Sequence, residues 1–254
     1  MKVITVTNQK GGTGKTSTVL FLAHGLAKRG KKILVIDLDQ QADASFSFNI
    51  PYDNEQTTFQ VLTENEALNN IIVKVNDAID LAPASSDISR LDIALSGKYR
   101  PQFILKDAIS KLSKNYDYVL IDTPPALSMV VLNALTASEA VIVPTQADIY
   151  SLKGLTELAS TINTIKETSN PDLKIAGILI GRYNARTIFS KSIANAFNEM
   201  TKRLHTTVFE TKIREAISVK ESQNNFESIF DYDPHGKVTQ DVNKFIDEFI
   251  QKEN

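Results

Sequence analysis

Short apolar runs rich in β-branched residues recur along this sequence of 254 residues, and segments with helical periodicity separate them. The runs are almost continuously apolar, which is typical of parallel strands that are covered on both faces. Strands that alternate with helices in this way predict a doubly wound α/β fold, in which helices flank a mostly parallel sheet. The runs span residues 3–6, 33–38, 118–121, 140–143 and 175–180.

The chain contains no linker rich in Gly, Ser and Pro and no internal repeat, so we expect a single domain over residues 1–254. Residues 49–60 are polar and are expected to form a surface loop. Apolar residues between 242 and 250 follow the spacing i, i+3, i+4, i+7 and i+8, which predicts an amphipathic helix near the C-terminus.

A glycine-rich loop follows the first predicted strand, where residues 8–16 read NQKGGTGKT and lead into a helical pattern. Such a loop can bind phosphate, because glycines let backbone N–H groups approach the oxygens and the helix N-terminus adds positive potential. In that arrangement Lys15 reaches the β- and γ-phosphates, and the Thr16 hydroxyl binds Mg²⁺. The predicted nucleotide-binding residues of the loop are Gly11, Gly12, Thr13, Gly14, Lys15, Thr16 and Ser17.

The loop departs from the usual pattern G-x-x-x-x-G-K-[ST], which has a glycine at the position of Gln9 in this chain. The next residue is a second lysine, Lys10. One loop wraps one triphosphate, and Lys15 already serves it. We therefore expect Lys10 to project outward from the entrance of the loop.

Acidic residues end two other predicted strands. Asp122 precedes Thr-Pro-Pro, and because the carboxyl ends of parallel strands meet near the phosphate loop, it is a candidate partner of Mg²⁺. Asp37 and Asp39 are separated by one residue, so both carboxylates point to the same side of the strand. One can hold a metal-bound water while the other orients the attacking water, and the residues alone leave open which does which.

Together with two later segments, these motifs resemble the deviant Walker ATPases of the ParA, MinD and Soj group, and specifically the ParA-type DNA-partition ATPases. The resemblance implies the fold of a P-loop NTPase, hydrolysis of ATP with Mg²⁺, and a homodimer built around two ATP molecules. The similar segments are KGGTGKT (10–16), DLDQQAD (37–43), VLIDTPP (119–125), VPTQADIYSLKGL (143–155) and FDYDP (230–234).

The same resemblance implies roles for individual residues. Lys10 reaches the phosphates that a partner subunit binds, and its compact charge suits that contact. Lys15 acts on the triphosphate of its own subunit, and Asp39 positions or activates the nucleophilic water. The implied magnesium site consists of Thr16, Asp37 and Asp122.

Two features depart from the family pattern. Gln40 stands where the family often has proline, so the backbone after Asp39 is expected to be less restrained. A Pro-Arg pair near the adenine is missing from residues 208–216. Residues 178–187 resemble the adenine side of the family, and they make Arg182 the predicted contact there.

The charge distribution predicts where DNA binds. The net charge of the chain is -2, but residues 182–220 contain eight basic and three acidic residues, giving +5 there and -7 elsewhere. A local basic region is typical of proteins that bind the phosphate backbone without reading bases. The resemblance adds a centromere-binding, ParB-like protein as a partner. The predicted DNA-binding residues are Arg186, Lys202, Arg203 and Arg214.

Other functions share this type of loop. A MinD-like, membrane-associated positioning ATPase needs a basic amphipathic terminal helix, whereas acidic residues in the last predicted helix repel anionic lipid. An iron-protein or Fe–S carrier is excluded, because the sequence has no cysteine. An ATP-using metabolic enzyme of the dethiobiotin-synthetase type remains as an alternative, although Lys10 and the later ParA-like segments argue against it.

The ends of the sequence add expectations about architecture and location. The loop begins at residue 8, so we expect no N-terminal helix-turn-helix domain. The N-terminus lacks a signal-peptide pattern, and no apolar run approaches the roughly 18 residues of a membrane span. We therefore expect a cytoplasmic, nucleoid-associated protein that makes no membrane contact.

Overall fold

The computed structural model describes residues 1–50, 56–146, 148–183, 197, 199, 201–202 and 206–253. Within these residues the strands are β1 (Lys2–Val6), β2 (Ile33–Asp37), β3 (Val73–Lys74), β4 (Ile79–Ala82), β5 (Tyr118–Asp122), β6 (Ala140–Thr145) and β7 (Lys174–Ile180). They form a seven-stranded sheet in the order β3-β4-β2-β5-β1-β6-β7. The short β3 runs antiparallel to β4, and the other neighbouring strands are parallel.

Helices connect the strands and cover both faces of the sheet. Short 3-10 turns occur at Ser86–Arg90 and Pro101–Phe103. The helices are α1 (Lys15–Ala27), α2 (Asp43–Ser47), α3 (Thr58–Thr63), α4 (Leu68–Ile71), α5 (Leu91–Ala94), α6 (Ile104–Ser110), α7 (Met129–Ala137), α8 (Ile149–Thr168), α9 (Ile217–Asn224), α10 (Ile229–Tyr232) and α11 (Lys237–Glu253).

The core lies on both sides of the central strands. β2, β5 and β6 are buried along their whole length, which explains why their sequences are almost continuously apolar. On one face α1 packs against α11 so closely that a Cβ atom on Gly25 would lie 2.6 Å from Cγ1 of Ile246. A glycine is therefore required at that crossing.

The register of the sheet brings distant residues together. Val6 of β1 pairs with Asp122 of β5, and Asp37 of β2 pairs with Asp122 on the other side. The three strands thus end at the same level. The loop after β1 and the carboxylates of Asp37 and Asp122 consequently meet at one edge of the sheet.

The predicted α/β architecture is confirmed, since each apolar run lies in a parallel strand and the C-terminal amphipathic helix is α11. One boundary is wrong: the predicted surface loop at 49–60 overlaps α3. Thr57 and Gln60 form a capping box, and Thr57 is only 1% exposed. Polar residues thus begin a helix here instead of a loop. Residues 51–55 of that predicted loop lie outside the described residues.

Candidate active site

The glycine-rich loop lies between β1 and α1, as the sequence predicts. Gly12 and Gly14 have φ angles of 72° and 91°, in the left-handed region that side chains with a Cβ disfavour. Gly14 is the N-cap of α1 and supplies no side-chain hydrogen bond, so the first N–H groups of the helix have no side-chain cap. The loop therefore presents backbone donors to an anion.

A cavity of about 490 Å³ runs along this loop and is the candidate triphosphate groove. The predicted loop residues line it, except Thr13, which lines an adjoining cavity. Asp39 after β2, Pro125 after β5 and Gln223 of α9 also line the groove. The sequence predictions for the loop and for Asp39 therefore meet in one groove.

The adjoining cavity, of about 160 Å³, shares Gly14, Ser17, Arg182 and Gln223 with the groove. Its walls are largely apolar, because Phe21, Pro144, Leu179, Ile213 and Val219 face it. A largely apolar slot beside a phosphate groove suits a nucleobase. Sequence reasoning identified Arg182 here but missed these five apolar residues, which come from α1, β6, β7, α9 and the segment between β7 and α9.

Arg182 stands at the junction of the two cavities. Its backbone is left-handed, with φ of 47°, and its Nη1 atom lies 3.9 Å from the position that a Cβ on Gly12 would take. The guanidinium thus lies over the phosphate loop as well as beside the apolar slot. Its role in holding the nucleotide stays a prediction.

Two carboxylates lie behind the groove, fully buried. The Asp37 carboxylate accepts hydrogen bonds from the backbone N and Oγ of Ser45, at 2.9 and 2.7 Å, and from the N of Asp39 at 3.0 Å. Burial nevertheless raises the pKa of Asp37 to about 6, and these hydrogen bonds oppose the shift. The same hydrogen bonds fix α2 to the end of β2.

Asp122 is the less satisfied carboxylate. Its Oδ1 accepts from the N of Thr123 at 3.1 Å, but its Oδ2 is buried without a hydrogen-bond partner among the described residues. Burial and the nearby Asp37 raise the pKa of Asp122 well above its usual value, while the Thr16 hydroxyl lowers it. An orphaned carboxylate oxygen beside a hydroxyl fits the ligands that Mg²⁺ prefers.

The described residues contain no group of three or more acidic, His or Cys side chains that could hold a metal ion unaided. Mg²⁺ commonly takes one or two carboxylates and completes its shell with water and phosphate oxygens. Thr16, Asp37 and Asp122 stay its predicted ligands.

Lys15 lies near these carboxylates and is only 7% exposed. Burial lowers the pKa of Lys15, while the charges of Asp122 and Asp39 raise it. Asp39 is 8% exposed, and its Oδ1 accepts from the N of Gln41 at 3.1 Å. A buried cation and a carboxylate that faces the groove are what phosphoryl transfer to water requires.

Lys10 behaves differently from Lys15. It does not line the groove, and its Nζ lies 2.8 Å from Oδ2 of Asp148, just before α8. An ion pair within the same chain thus holds the side chain of Lys10, and its predicted contact with a partner subunit stays a prediction. The partner of Lys10, Asp148, was not identified from the sequence.

The predicted DNA-binding residues are only partly within the described residues, because Arg186 and Arg203 lie outside them. Lys202 is exposed and pairs with Glu199 at 3.1 Å. Arg214 donates from two nitrogens to Asp241, at 2.6 and 2.8 Å. The charge of Arg214 is therefore largely neutralised by α11, which weakens the case for it as a DNA contact.

None of the helices in the described part of the chain is long and apolar enough to cross a membrane.

Comparison with known proteins finds one matching family and similar proteins that cover nearly the whole chain. The family described as AAA domain matches residues 1–175. The sporulation initiation inhibitor protein Soj of Bacillus subtilis is 34% identical over 238 residues, covering 93% of this chain and 93% of Soj. The chromosome partitioning protein ParA of Caulobacter vibrioides is 33% identical over 257 residues, covering 100% of this chain and 95% of that ParA.

A solved structure is similar over the same length. Cobyrinic acid a,c-diamide synthase from Mycobacterium smegmatis, with bound ATP analogue and magnesium, has a TM-score of 0.86 and 27% identity, covering 100% of this chain and 96% of that chain. The loop, the groove and the strand-end carboxylates thus belong to a fold that holds nucleotide and magnesium in that relative. The predicted fold class, a doubly wound P-loop NTPase, is confirmed.

Proposed function

The chain belongs to the AAA-domain family, as a P-loop ATPase of the ParA and Soj type, and from this premise we propose that it is a DNA-partition ATPase. In this proposal the protein dimerises on ATP, binds DNA nonspecifically and leaves the DNA after hydrolysis. The observation that carries it is Lys10, a lysine at the entrance of the phosphate loop that does not line the groove of its own subunit.

Nucleotide binding begins at the loop. The N–H groups of residues 11–16 and the Lys15 ammonium group bind the phosphates of ATP, and the apolar slot beside Arg182 takes the base. Thr16, Asp37 and Asp122 would hold Mg²⁺, whose positive charge would stabilise the phosphate oxygens. The site suits a cation, because the buried carboxylates of Asp37 and Asp122 repel each other.

Hydrolysis depends on Asp39. Its carboxylate faces the groove, and its backbone N is tied to Asp37 at 3.0 Å, so its position follows the end of β2. In the proposed reaction Asp39 orients a water toward the γ-phosphate, and Lys15 stabilises the charge that develops on the phosphate oxygens. Lys10 of the partner subunit adds a second positive charge there.

DNA binding follows from dimerisation, because pairing two subunits doubles the basic surface. Lys202 is exposed and is held by Glu199 alone among the described contacts, so it can exchange that acid for a DNA phosphate. Arg186 and Arg203 remain candidates by sequence. Arg214 is engaged by Asp241 and is not needed for the proposal. Binding of this kind places the protein on the nucleoid.

Release from DNA follows hydrolysis, and we propose that a centromere-binding, ParB-like protein stimulates it. The similarity to the chromosome partitioning protein ParA supports this partner. We expect that a small basic DNA-binding protein raises the ATPase rate in the presence of DNA. The rate measured with and without that protein tests this part of the proposal.

The role of Lys10 is tested by sedimentation velocity with Mg-ATP. Lys10→Ala should bind ATP nearly as wild type does but stay monomeric, because it loses the cation that reaches the partner's phosphates. Lys28→Ala is the matched control, since Lys28 pairs with Asp231 at 2.7 Å in a comparable ion pair away from the groove. The control should dimerise normally.

Two outcomes would count against the proposal. Dimerisation of Lys10→Ala at the wild-type concentration would remove the role of Lys10 across the interface. A wild-type chain that hydrolyses ATP as a monomer and ignores DNA would favour the metabolic alternative.

A further inference from the structure

Hydrogen bonds hold both the backbone and the side-chain ammonium group of Lys10. Its backbone N donates to Oδ1 of Asn8 at 3.0 Å, and Nδ2 of Asn8 donates to the carbonyl of Pro144 at 2.7 Å. Its Nζ donates to Oδ2 of Asp148 at 2.8 Å and approaches Oγ of Ser151 at 3.5 Å. The lysine is thus held against the connection between β6 and α8 and does not line the groove of its own subunit.

Asp148 does not depend on Lys10 for its hydrogen bonds. As the N-cap of α8, it accepts from the N of Ser151 at 2.9 Å, and its other oxygen accepts from Oγ of Ser151 at 3.0 Å. Burial acts against the charged form, but the hydrogen bonds from Lys10 and Ser151 lower the pKa of Asp148. The hydrogen bonds from Ser151 and the helix N-terminus therefore still stabilise the carboxylate when Lys10 departs.

The ion pair is also accessible to water, with side-chain exposures of 31% for Lys10 and 33% for Asp148. Pairs of this kind are weak, and losing one shifts an equilibrium by about two- to fivefold. The contact can thus open readily, which is the property that a reversible restraint needs.

We propose that Asp148 holds Lys10 in a resting position on its own subunit and thereby raises the protein concentration at which ATP-bound subunits pair. This inference rests on the proposed function, in which Lys10 reaches the phosphates of a partner. The Lys10 ammonium group must leave Asp148 to enter a second groove. Dimerisation is therefore opposed by the Lys10–Asp148 contact, and ATP in the partner subunit competes with Asp148 for the same charge.

A different role for Asp148 predicts the opposite effect on the strength of the dimer. If the carboxylate orients Lys10 toward the partner, its loss weakens the dimer. The two roles are separated by a variant that removes the charge of Asp148 and keeps the helix cap.

Asp148→Asn is that variant, since asparagine caps helices about as well as aspartate and its carbonyl oxygen can accept from the N of Ser151. Asp77→Asn is the matched control. Asp77 pairs with Lys74 at 2.7 Å in the turn between β3 and β4, at the opposite edge of the sheet. Both variants remove one negative charge from a lysine–aspartate pair.

The measurement is the dimer dissociation constant in Mg-ATP, from sedimentation over a range of protein concentrations. A second readout, on the ATP-free protein, is the rate at which an amine-modifying reagent labels Lys10, followed by mass spectrometry. Asp148→Asn should lower the dissociation constant about two- to fivefold and speed the labelling of Lys10, and Asp77→Asn should change neither.

An unchanged or weaker dimer in Asp148→Asn, beside a normal wild-type dimer, overturns the inference. If the wild type forms no dimer with Mg-ATP, the proposed function fails instead. In that case the labelling of Lys10 in Asp148→Asn still tests the contact itself. An unchanged labelling rate shows that Asp148 does not hold Lys10. A faster rate shows that Asp148 holds Lys10 but has no effect on pairing.

Discussion

The phosphate groove and the basic region at 182–220 both carry charge, but they use it in different ways. In and behind the groove, Lys15, Asp39 and Asp122 are nearly or fully buried, since Lys15 begins α1, Asp39 follows β2 and Asp122 ends β5. In the basic region, described residues such as Lys202 and Arg214 already pair with acidic neighbours. Function in the groove should therefore depend on single residues, whereas DNA binding should depend on the total charge.

The largest expected effect is at Asp39. Asp39→Ala should bind ATP with equal or higher affinity, because a carboxylate near the triphosphate is removed, but turnover should fall about 10²-fold or more. A phosphate-release assay beside calorimetry with ATP measures both quantities. Asp43→Ala is the control, since Asp43, the first residue of α2, also lines the groove and should leave turnover largely unchanged. Normal turnover in Asp39→Ala would move the catalytic role to another carboxylate.

The next largest effect is at Lys15. Lys15→Gln removes a charge-assisted contact to the phosphates, which contributes roughly 1.5–3 kcal/mol, so ATP affinity should fall at least about tenfold. Isothermal calorimetry with Mg-ATP gives the affinity, and Lys28→Gln, away from the groove, should leave it unchanged. Wild-type affinity in Lys15→Gln would contradict the assignment of the loop.

The buried carboxylates should make the nucleotide-free protein sensitive to pH. The folded-state pKa of Asp37 is raised to about 6 and that of Asp122 is raised as well, so the stability they contribute is present at low pH and lost as pH rises through these values. Asp122→Asn removes one of the two charges. It should raise Tm by about 2–4 °C near pH 8, equivalent to roughly 1 kcal/mol in a chain of this size.

The gain in Tm should shrink as the pH falls toward about 5, where the wild-type carboxylates take up protons. Asp80→Asn supplies the contrast, because the buried Asp80 is already satisfied by Lys114 and by the Tyr116 hydroxyl at 2.6 Å. That change should lower Tm. A loss of stability in Asp122→Asn at pH 8 would show that the two strand-end charges do not repel each other in the free protein.

The smallest effects should come from the basic region. Lys202→Gln should weaken DNA binding by only a fewfold and reduce the slope of log affinity against log salt by about 1, without altering sequence preference. Arg214→Gln should act mainly on stability, because it removes the two hydrogen bonds that the Arg214 side chain donates to Asp241. Fluorescence anisotropy in a salt series and thermal melts separate the two. A greater loss of DNA affinity from Arg214→Gln than from Lys202→Gln, at unchanged Tm, would restore Arg214 to the DNA surface.

The sequence predicts residues that local order and the sheet bring together, and it does not predict contacts between distant segments. The loop follows a strand and precedes a helix, so local order places Lys15 and Thr16, and the parallel sheet brings Asp37 and Asp122 to the same edge. The contact between Lys10 and Asp148 spans 138 residues, and no local pattern encodes it. The apolar slot also escaped prediction, because residues such as Phe21, Leu179 and Ile213 read simply as core.

The central claim is that ATP controls DNA binding through pairing of subunits, and DNA affinity in the two nucleotide states tests it most directly. Anisotropy of a labelled duplex of arbitrary sequence is measured with Mg-ADP and with Mg-ATP, using Asp39→Ala to prevent hydrolysis. We predict that the Mg-ATP form binds, that its affinity falls steeply with salt, and that the Mg-ADP form binds much more weakly. Equal affinity in the two nucleotide states at moderate salt would contradict the claim.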